Sequence, residues 1–363
     1  MRVVYFGSWD PTISPRVRML RDGLRSAGAD IIECRAEGAA ARRYASLVRK
    51  FLHIRRRGVD VILVGKPGQR EMPLAWALGR AAAVPVALDY FVSLWINQVV
   101  ERTRVHARSR RARLLKSLDR ISLSLADVVI IDTHAHGDAI QRVIGTAPSP
   151  MARVCIGAEP IFSPRPVNRR ADRFDVLFSG TFIPFHGIDT IVDAAVRLKD
   201  DTSIRLTLLG DGQEKERIKN RIHALGLTNV EMEPPIPYEQ LPQRINEANL
   251  CLGIFGDTLT GRAVVPKKVY MAMACGRPVL TGDTEAIREI IDGDCILRCE
   301  PSDPLALAEG IRHARSNPQL LEEIGTKARA LHLSRFTVKH VGEELYWVLM
   351  AAVERHAQKR CST

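Results

Sequence analysis

Two stretches of this 363-residue chain put groups that can hold an anion where a strand gives way to a helix, and a third carries a loop with paired lysines into a helix. In Phe178-Ser179-Gly180-Thr181-Phe182-Ile183-Pro184-Phe185-His186-Gly187-Ile188-Asp189, an apolar run ends at Gly180 and a helical pattern begins near Gly187. Free backbone N–H groups and the positive end of the helix should therefore face an incoming anion. Thr181 offers one hydrogen bond, and His186 offers a charge only when protonated. In the second, Leu208-Leu209-Gly210-Asp211-Gly212, another strand ends in glycines that let a backbone approach closely. The third runs from Val264 through Pro266-Lys267-Lys268 into the small-residue helix Val269–Cys275, then to Gly276 and a buried-looking strand at Pro278–Thr281.

These loops need a scaffold that brings strand ends together, and the chain supplies one. Short, near-continuous apolar runs at Val3–Phe6, Asp30–Cys34, Val59–Val64, Pro85–Asp89, Asp127–Asp132 and Arg153–Gly157 are followed by six more. Those are Asp175–Gly180, Arg205–Gly210, Asn229–Glu233, Leu250–Phe255, Pro278–Thr281 and Cys295–Arg298. Such runs are the mark of parallel strands covered on both faces. Amphipathic stretches such as Ile188–Leu198, Glu214–Leu225 and Pro304–Ala314 fill the gaps, as β-α-β units require. The proline-rich, polar segment Pro160–Arg170 reads as a linker between two doubly wound domains. The predicted division is 1–163 and 174–336, with a last helix over 337–363 packing back on the first domain. Ligand would sit at the carboxyl ends of the strands, in the crevice between domains.

With their spacing in view, the loops resemble glycosyltransferase family 4. Val264–Gly282 is similar to its P-x-K-x-x-E-x-x-A-x-G-x-P-V segment, and Gly180–Gly187 to its G-R-x-x-x-x-K-G loop, with Thr181 and His186 in place of the basic pair. The resemblance implies an α/β GT-B fold, two Rossmann-like domains facing each other across a cleft. It also implies a metal-independent, retaining transfer of a sugar from a nucleoside diphosphate sugar to an acceptor hydroxyl, on a lipid-linked or envelope glycan. No cofactor other than the donor substrate is expected. Lys268, at the family's lysine position, would stabilise the departing diphosphate, and Asp89 would lie by the reacting carbon. Gly180, Thr181, His186, Gly187, Gly210, Asp211 and Gly212 would hold the donor. Ile236, in Pro234-Pro235-Ile236-Pro237, would meet the base through its backbone. Arg262, Asp283 and Glu289 complete the expected donor set, and the Gly7-Ser8-Trp9-Asp10-Pro11 loop would receive the acceptor. Two family glutamates are replaced by Ala263 and Met271. A second reading is therefore a GT-B protein with a degenerate donor site, acting as a regulator or scaffold in polysaccharide biosynthesis.

Other patterns are weaker. Asp132-Thr133-His134-Ala135-His136 resembles a metal motif but reads better as a helix start, and Asp292-Gly293-Asp294 as a surface turn. Seven cysteines without C-x-x-C spacing suggest reduced, buried thiols. The chain enters a strand at once and has no apolar run long enough to span a bilayer, so a cytoplasmic protein is expected. Charge is lopsided: residues 1–160 hold 26 Lys and Arg against 14 Asp and Glu, whereas 161–363 hold 27 of each. Two basic amphipathic helices, at 42–57 and 102–120, carry much of that excess. They suggest peripheral contact with an anionic membrane, on the inner face of the cell membrane. Nucleic-acid binding is not expected, because no aromatic platform accompanies the charge.

Overall fold

The computed structural model describes residues 1–9, 14–145, 148–168, 170, 172–291 and 293–361. It divides into two units, Met1–Ile156 with Val338–Thr363, and Gly157–Thr337.

The first unit is built on a six-stranded parallel sheet. Its strands are β1 (Arg2–Gly7), β2 (Asp30–Arg35), β3 (Val61–Val64), β4 (Val86–Asp89), β5 (Val128–Ile131) and β6 (Met151–Arg153), in spatial order β2-β1-β3-β4-β5-β6. Strands β3, β4 and β5 are buried at every position, which is why they read as continuous apolar runs. The connecting helices are α1 (Pro15–Ser26), α2 (Ala40–Ile54), α3 (Met72–Ala82), α4 (Arg110–Leu125) and α5 (His134–Val143). The chain returns at its end as α14 (Val338–Cys361), whose Gly342 backbone lies directly on Gly23 of α1. No side chain fits there: a Cβ on Gly342 would come 2.0 Å from the Gly23 carbonyl carbon.

The second unit repeats the plan. Its strands are β7 (Phe174–Thr181), β8 (Ile204–Asp211), β9 (Val230–Glu233), β10 (Leu250–Leu252), β11 (Val279–Gly282) and β12 (Leu297–Cys299), in order β12-β11-β10-β7-β8-β9 and all parallel. Around it lie α6 (Ile188–Arg197), α7 (Lys215–Ala224), α8 (Leu241–Glu247), α9 (Leu259–Ala263), α10 (Lys267–Ala274), α11 (Glu285–Ile290), α12 (Pro304–Ser316) and α13 (Pro318–Arg335). Phe178, Phe182, Ile191, Leu208, Leu252 and Ile311 form the centre of one apolar core between sheet and helices.

Four expectations need correction. The strand predicted at Arg153–Gly157 is β6 at Met151–Arg153, and the Leu250–Phe255 strand ends at Leu252, because Ile254 bonds instead to the Thr281 hydroxyl at 3.2 Å. The basic helix predicted over 102–120 does not exist as one piece. Ile96–Glu101 forms a π-helical turn, and α4 starts at Arg110, capped by the Ser109 hydroxyl on the Ala112 amide. The helix predicted at 42–57 ends at Ile54, and Arg55–Arg57 tighten into a 3-10 turn. Asp10, Pro11 and Asp292, from the acceptor loop and the Asp-Gly-Asp turn, lie outside the described residues.

Candidate functional site

The loops after β7, β8, β10 and β11 all leave the C-terminal edge of the second sheet, as parallel strands require. Gly187, at φ +66, ends a 3-10 turn and opens α6. A Cβ there would meet the Gly256 nitrogen at 2.4 Å, so the β7 loop lies flat on the β10 loop. No side chain caps α6, whose own first-turn acid, Asp189, turns away to Arg217 and Arg221 of α7. Hydrogen bonding by Arg217 holds that carboxyl below its usual range. The first-turn amides of α6 thus have neither intrahelical nor side-chain acceptors.

Beside this turn three predicted residues converge. The Lys268 ammonium lies 3.5 Å from the centroid of the Phe178 ring, and the His186 ring meets the same phenyl edge-on at 5.9 Å. Phe178 and Gly180 alternate onto one face of β7, so Gly180 lies next to the amine. A Cβ on Gly180 would stand 2.9 Å from Lys268 Nζ and 3.6 Å from His186 Cε1. His186 Nδ1 is 2.5 Å from the Thr181 carbonyl oxygen, which fixes the ring across the loop. Lys268 Nζ is buried without a hydrogen-bond acceptor, and burial pushes its pKa well below the usual lysine value. The buried amine has an aromatic face beside it and no hydrogen-bond acceptor. Contact with the ring returns about 0.5–2 kcal/mol, less than a paired charge would.

The remaining donor-set residues are disposed differently. Gly210 packs on β7 so closely that a Cβ would meet the Gly180 oxygen at 1.9 Å, a backbone role. Asp211 accepts from the Gly212 amide at 2.7 Å and faces Lys215, a local turn. Thr181 is exposed at the strand end, and Ile236 is half-buried in the segment after β9. Arg262 is held by Asp257 and Glu285, and Asp283 by Arg288 at 2.8 Å, which lowers the Asp283 carboxyl. The Thr284 hydroxyl caps α11, accepting from the Ile287 amide. Glu289 is half-buried on that helix. Ala263 and Met271 are both buried, each 4% exposed. Lys267, adjacent to Lys268, points elsewhere: it binds Glu159 at 2.5 Å and the Tyr238 hydroxyl at 2.9 Å. Phe178 escaped the sequence reading as a site residue, although its place two positions before Gly180 in an alternating strand could have found it.

In the first unit Asp89 is 2% exposed and grips Arg16 through two-pronged hydrogen bonds of 2.7–3.0 Å. Its carboxylate is therefore committed to a buried ion pair. Arg16 and Lys66 flank the Phe91 ring at 4.5 and 4.4 Å, and burial lowers the Lys66 pKa to about 8. His134 is exposed, whereas His136 is buried and bonds Asp132 through Nδ1 at 2.5 Å, with Thr133 capping α5. The two rings thus face different surroundings, and among the described residues no group of three His, Cys, Asp or Glu is placed to hold a metal. Among the described residues no helix is long and apolar enough to cross a membrane.

Comparison with known proteins agrees with this architecture. The family model for glycosyl transferases group 1 matches residues 162–331. WcaI of Escherichia coli K12, named for a glycosyl transferase of colanic acid biosynthesis, is 29% identical over 149 residues, 40% of this chain and 36% of its own. Matches to the curated relatives span only 41% and 36% of those proteins' lengths. Over the whole fold, a sucrose-phosphate synthase from Thermosynechococcus elongatus superposes with a TM-score of 0.74 at 19% identity, covering 97% of this chain and 99% of that one. Anabaena HepE, crystallised with UDP-glucose, gives 0.72 at 17% identity over 97% and 100%. The chain has the two-domain Rossmann-like GT-B fold, and its residues 162–331 match the glycosyl transferases group 1 family model.

Proposed function

We propose that this chain is a retaining glycosyltransferase that moves a sugar from a nucleoside diphosphate sugar to an acceptor hydroxyl on a lipid-linked or envelope glycan. The observation that carries the reading is the unanswered Lys268 amine beside Gly180 and the open first turn of α6. A diphosphate supplies what that corner lacks. Its oxygens would accept from the α6 amides and from Lys268, and as the bond to the sugar breaks the amine would take up the charge that develops on the leaving group. Gly180 keeps the amine's approach clear, and His186, braced by the Thr181 carbonyl, walls the loop. UDP-glucose, present in the Anabaena neighbour, is the first donor to test.

The experiment is calorimetry with UDP and GDP together with a transfer assay over a panel of nucleotide sugars. Lys268→Ala should weaken nucleotide binding by roughly tenfold to a hundredfold, the worth of a charged hydrogen bond, and cut transfer by about a hundredfold or more. Thermal unfolding should stay close to that of the parent chain. Undiminished transfer by Lys268→Ala would reject the assignment.

Buried Ala263 and Met271 favour a second reading, a donor-fold protein retired from catalysis that serves as a scaffold in polysaccharide biosynthesis. It requires that neither nucleotide bind the parent chain in the same calorimetry.

A further inference from the structure

We propose that helices α2, α3 and α4 of the first unit form one continuous face that docks on an anionic bilayer, with arginines as counter-charges and a few apolar side chains as wedges. The proposal does not depend on the donor site. Topology places the three helices together. They make the β2-to-β3, β3-to-β4 and β4-to-β5 connections, all running the same way across the sheet, so right-handed crossovers put them on one face. The β1-to-β2 connection runs the opposite way, and α1 lies on the other face, under α14.

The β5-to-β6 connection runs the same way, so α5, with Asp138 exposed, borders this face at the β6 edge. The three helices beside it are chemically unlike the rest: they carry ten Lys and Arg and expose no carboxylate, since their one acid, Asp119, is fully buried and accepts from Ser93 and the Leu94 and Trp95 amides. The turn after α2 adds Arg55, Arg56 and Arg57, all exposed. On α14, by contrast, three glutamates are interspersed with the basic residues.

Apolar side chains stand out among these charges. Leu52 is 44% exposed, Trp76 37%, Val100 39%, Leu114 59% and Ile121 44%, and Trp347 is the one other large apolar side chain exposed among the described residues of the first unit. Arg80 lies 5.8 Å from the Trp76 ring, and a groove of about 530 Å3 on α2 mixes Ala45, Val48 and Leu52 with Arg49, His53 and Arg56. Leu114 and Ile121 fall two helical turns apart on the outer side of α4, flanked by Arg111, Arg113 and Arg120. Cationic residues alone would suit any polyanion. Leucine, isoleucine and tryptophan projecting between them suit an interface with an apolar interior, where burial of these side chains adds to the electrostatic attraction. A duplex would offer the phosphates and nothing for Leu52, Leu114 or Ile121.

Flotation of the full chain with phosphatidylcholine vesicles, with and without phosphatidylglycerol, tests this at physiological salt. The chain should float with the anionic vesicles and stay behind with the neutral ones. Arg49→Glu combined with Arg56→Glu should reduce flotation by roughly tenfold or more. Trp76→Ala combined with Leu114→Ala should reduce it by roughly fivefold or more, while retention on heparin stays unchanged. Equal binding to neutral vesicles, or no binding to anionic ones, overturns the proposal on the unaltered chain alone. So does full retention of flotation by the apolar double variant with displacement by duplex DNA, which would mark the face as a nucleic-acid surface.

Discussion

Lys268 shows how much one side chain's surroundings decide. Its type and position suggest a phosphate ligand, yet in the folded chain its amine is buried over Phe178 with a depressed pKa. A nucleotide diphosphate bound there, as proposed, would favour the charged form and raise that pKa again. The sign follows directly. Between the depressed value of the empty site and the restored value of the filled one, binding takes up a proton, so affinity strengthens as pH falls through that interval. Calorimetry of UDP binding in two buffers of different ionisation heat should reveal an uptake approaching one proton, absent in Lys268→Ala. An unchanged apparent heat between buffers would exclude the coupling. Asp89 illustrates the opposite outcome. The end of a central strand is a sensible place for a catalytic acid, but Arg16, 73 positions earlier in the chain, claims the carboxylate. Nothing in the local sequence of either residue announces that pair.

Among the elements, α14 carries the clearest consequence. Read from sequence, residues 337–363 form a last helix packing back on the first domain; in the structure α14 spans Val338–Cys361 and lies on α1. Contact is made backbone to backbone, with Gly342 against Gly23, so each methylene added there must push two helices apart. Gly342→Ala should destabilise the first unit by about 1–3 kcal/mol, the usual cost of overpacking, beyond the slight gain alanine brings to a free helix. Chemical denaturation followed by fluorescence of Trp9 and Trp95 would show the loss. An unchanged midpoint would mean that the two helices can separate without cost. Helix α4 teaches a different lesson. Arg102–Arg120 has the composition of one basic helix, but a π-helical turn and the Ser109 cap restart the chain at Arg110. Charge frequency is visible in a sequence; the capping contact that begins a helix is a three-dimensional event.

For the whole molecule, the two units differ in how the chain supplies them. The second, Gly157–Thr337, is continuous and encloses the segment matched by the glycosyl transferases group 1 family. The first is assembled from both ends of the chain. A fragment of residues 157–337 should therefore unfold in a single cooperative transition, whereas 1–156 alone should lack one, because the Gly23 face of α1 would be left bare. Circular dichroism on the two fragments decides the matter, and cooperative unfolding of 1–156 would refute it. Twelve strands, their parallel pairing and the strand-to-helix loops were legible beforehand, because buried parallel strands and glycine-ended turns write themselves into short apolar runs and fixed residue types. Gly180, His186, Gly187 and Lys268 were singled out by resemblance to a family's motifs, and their role in holding a donor is a proposal. What the tertiary structure alone decided is which groups face one another: Phe178 beneath Lys268, Arg16 on Asp89, Arg288 on Asp283, and three basic helices side by side on one face. Local sequence sets the conformation of a segment through sterics and burial, but the partner of a charged side chain comes from a remote stretch of chain, and only folding brings the two within reach.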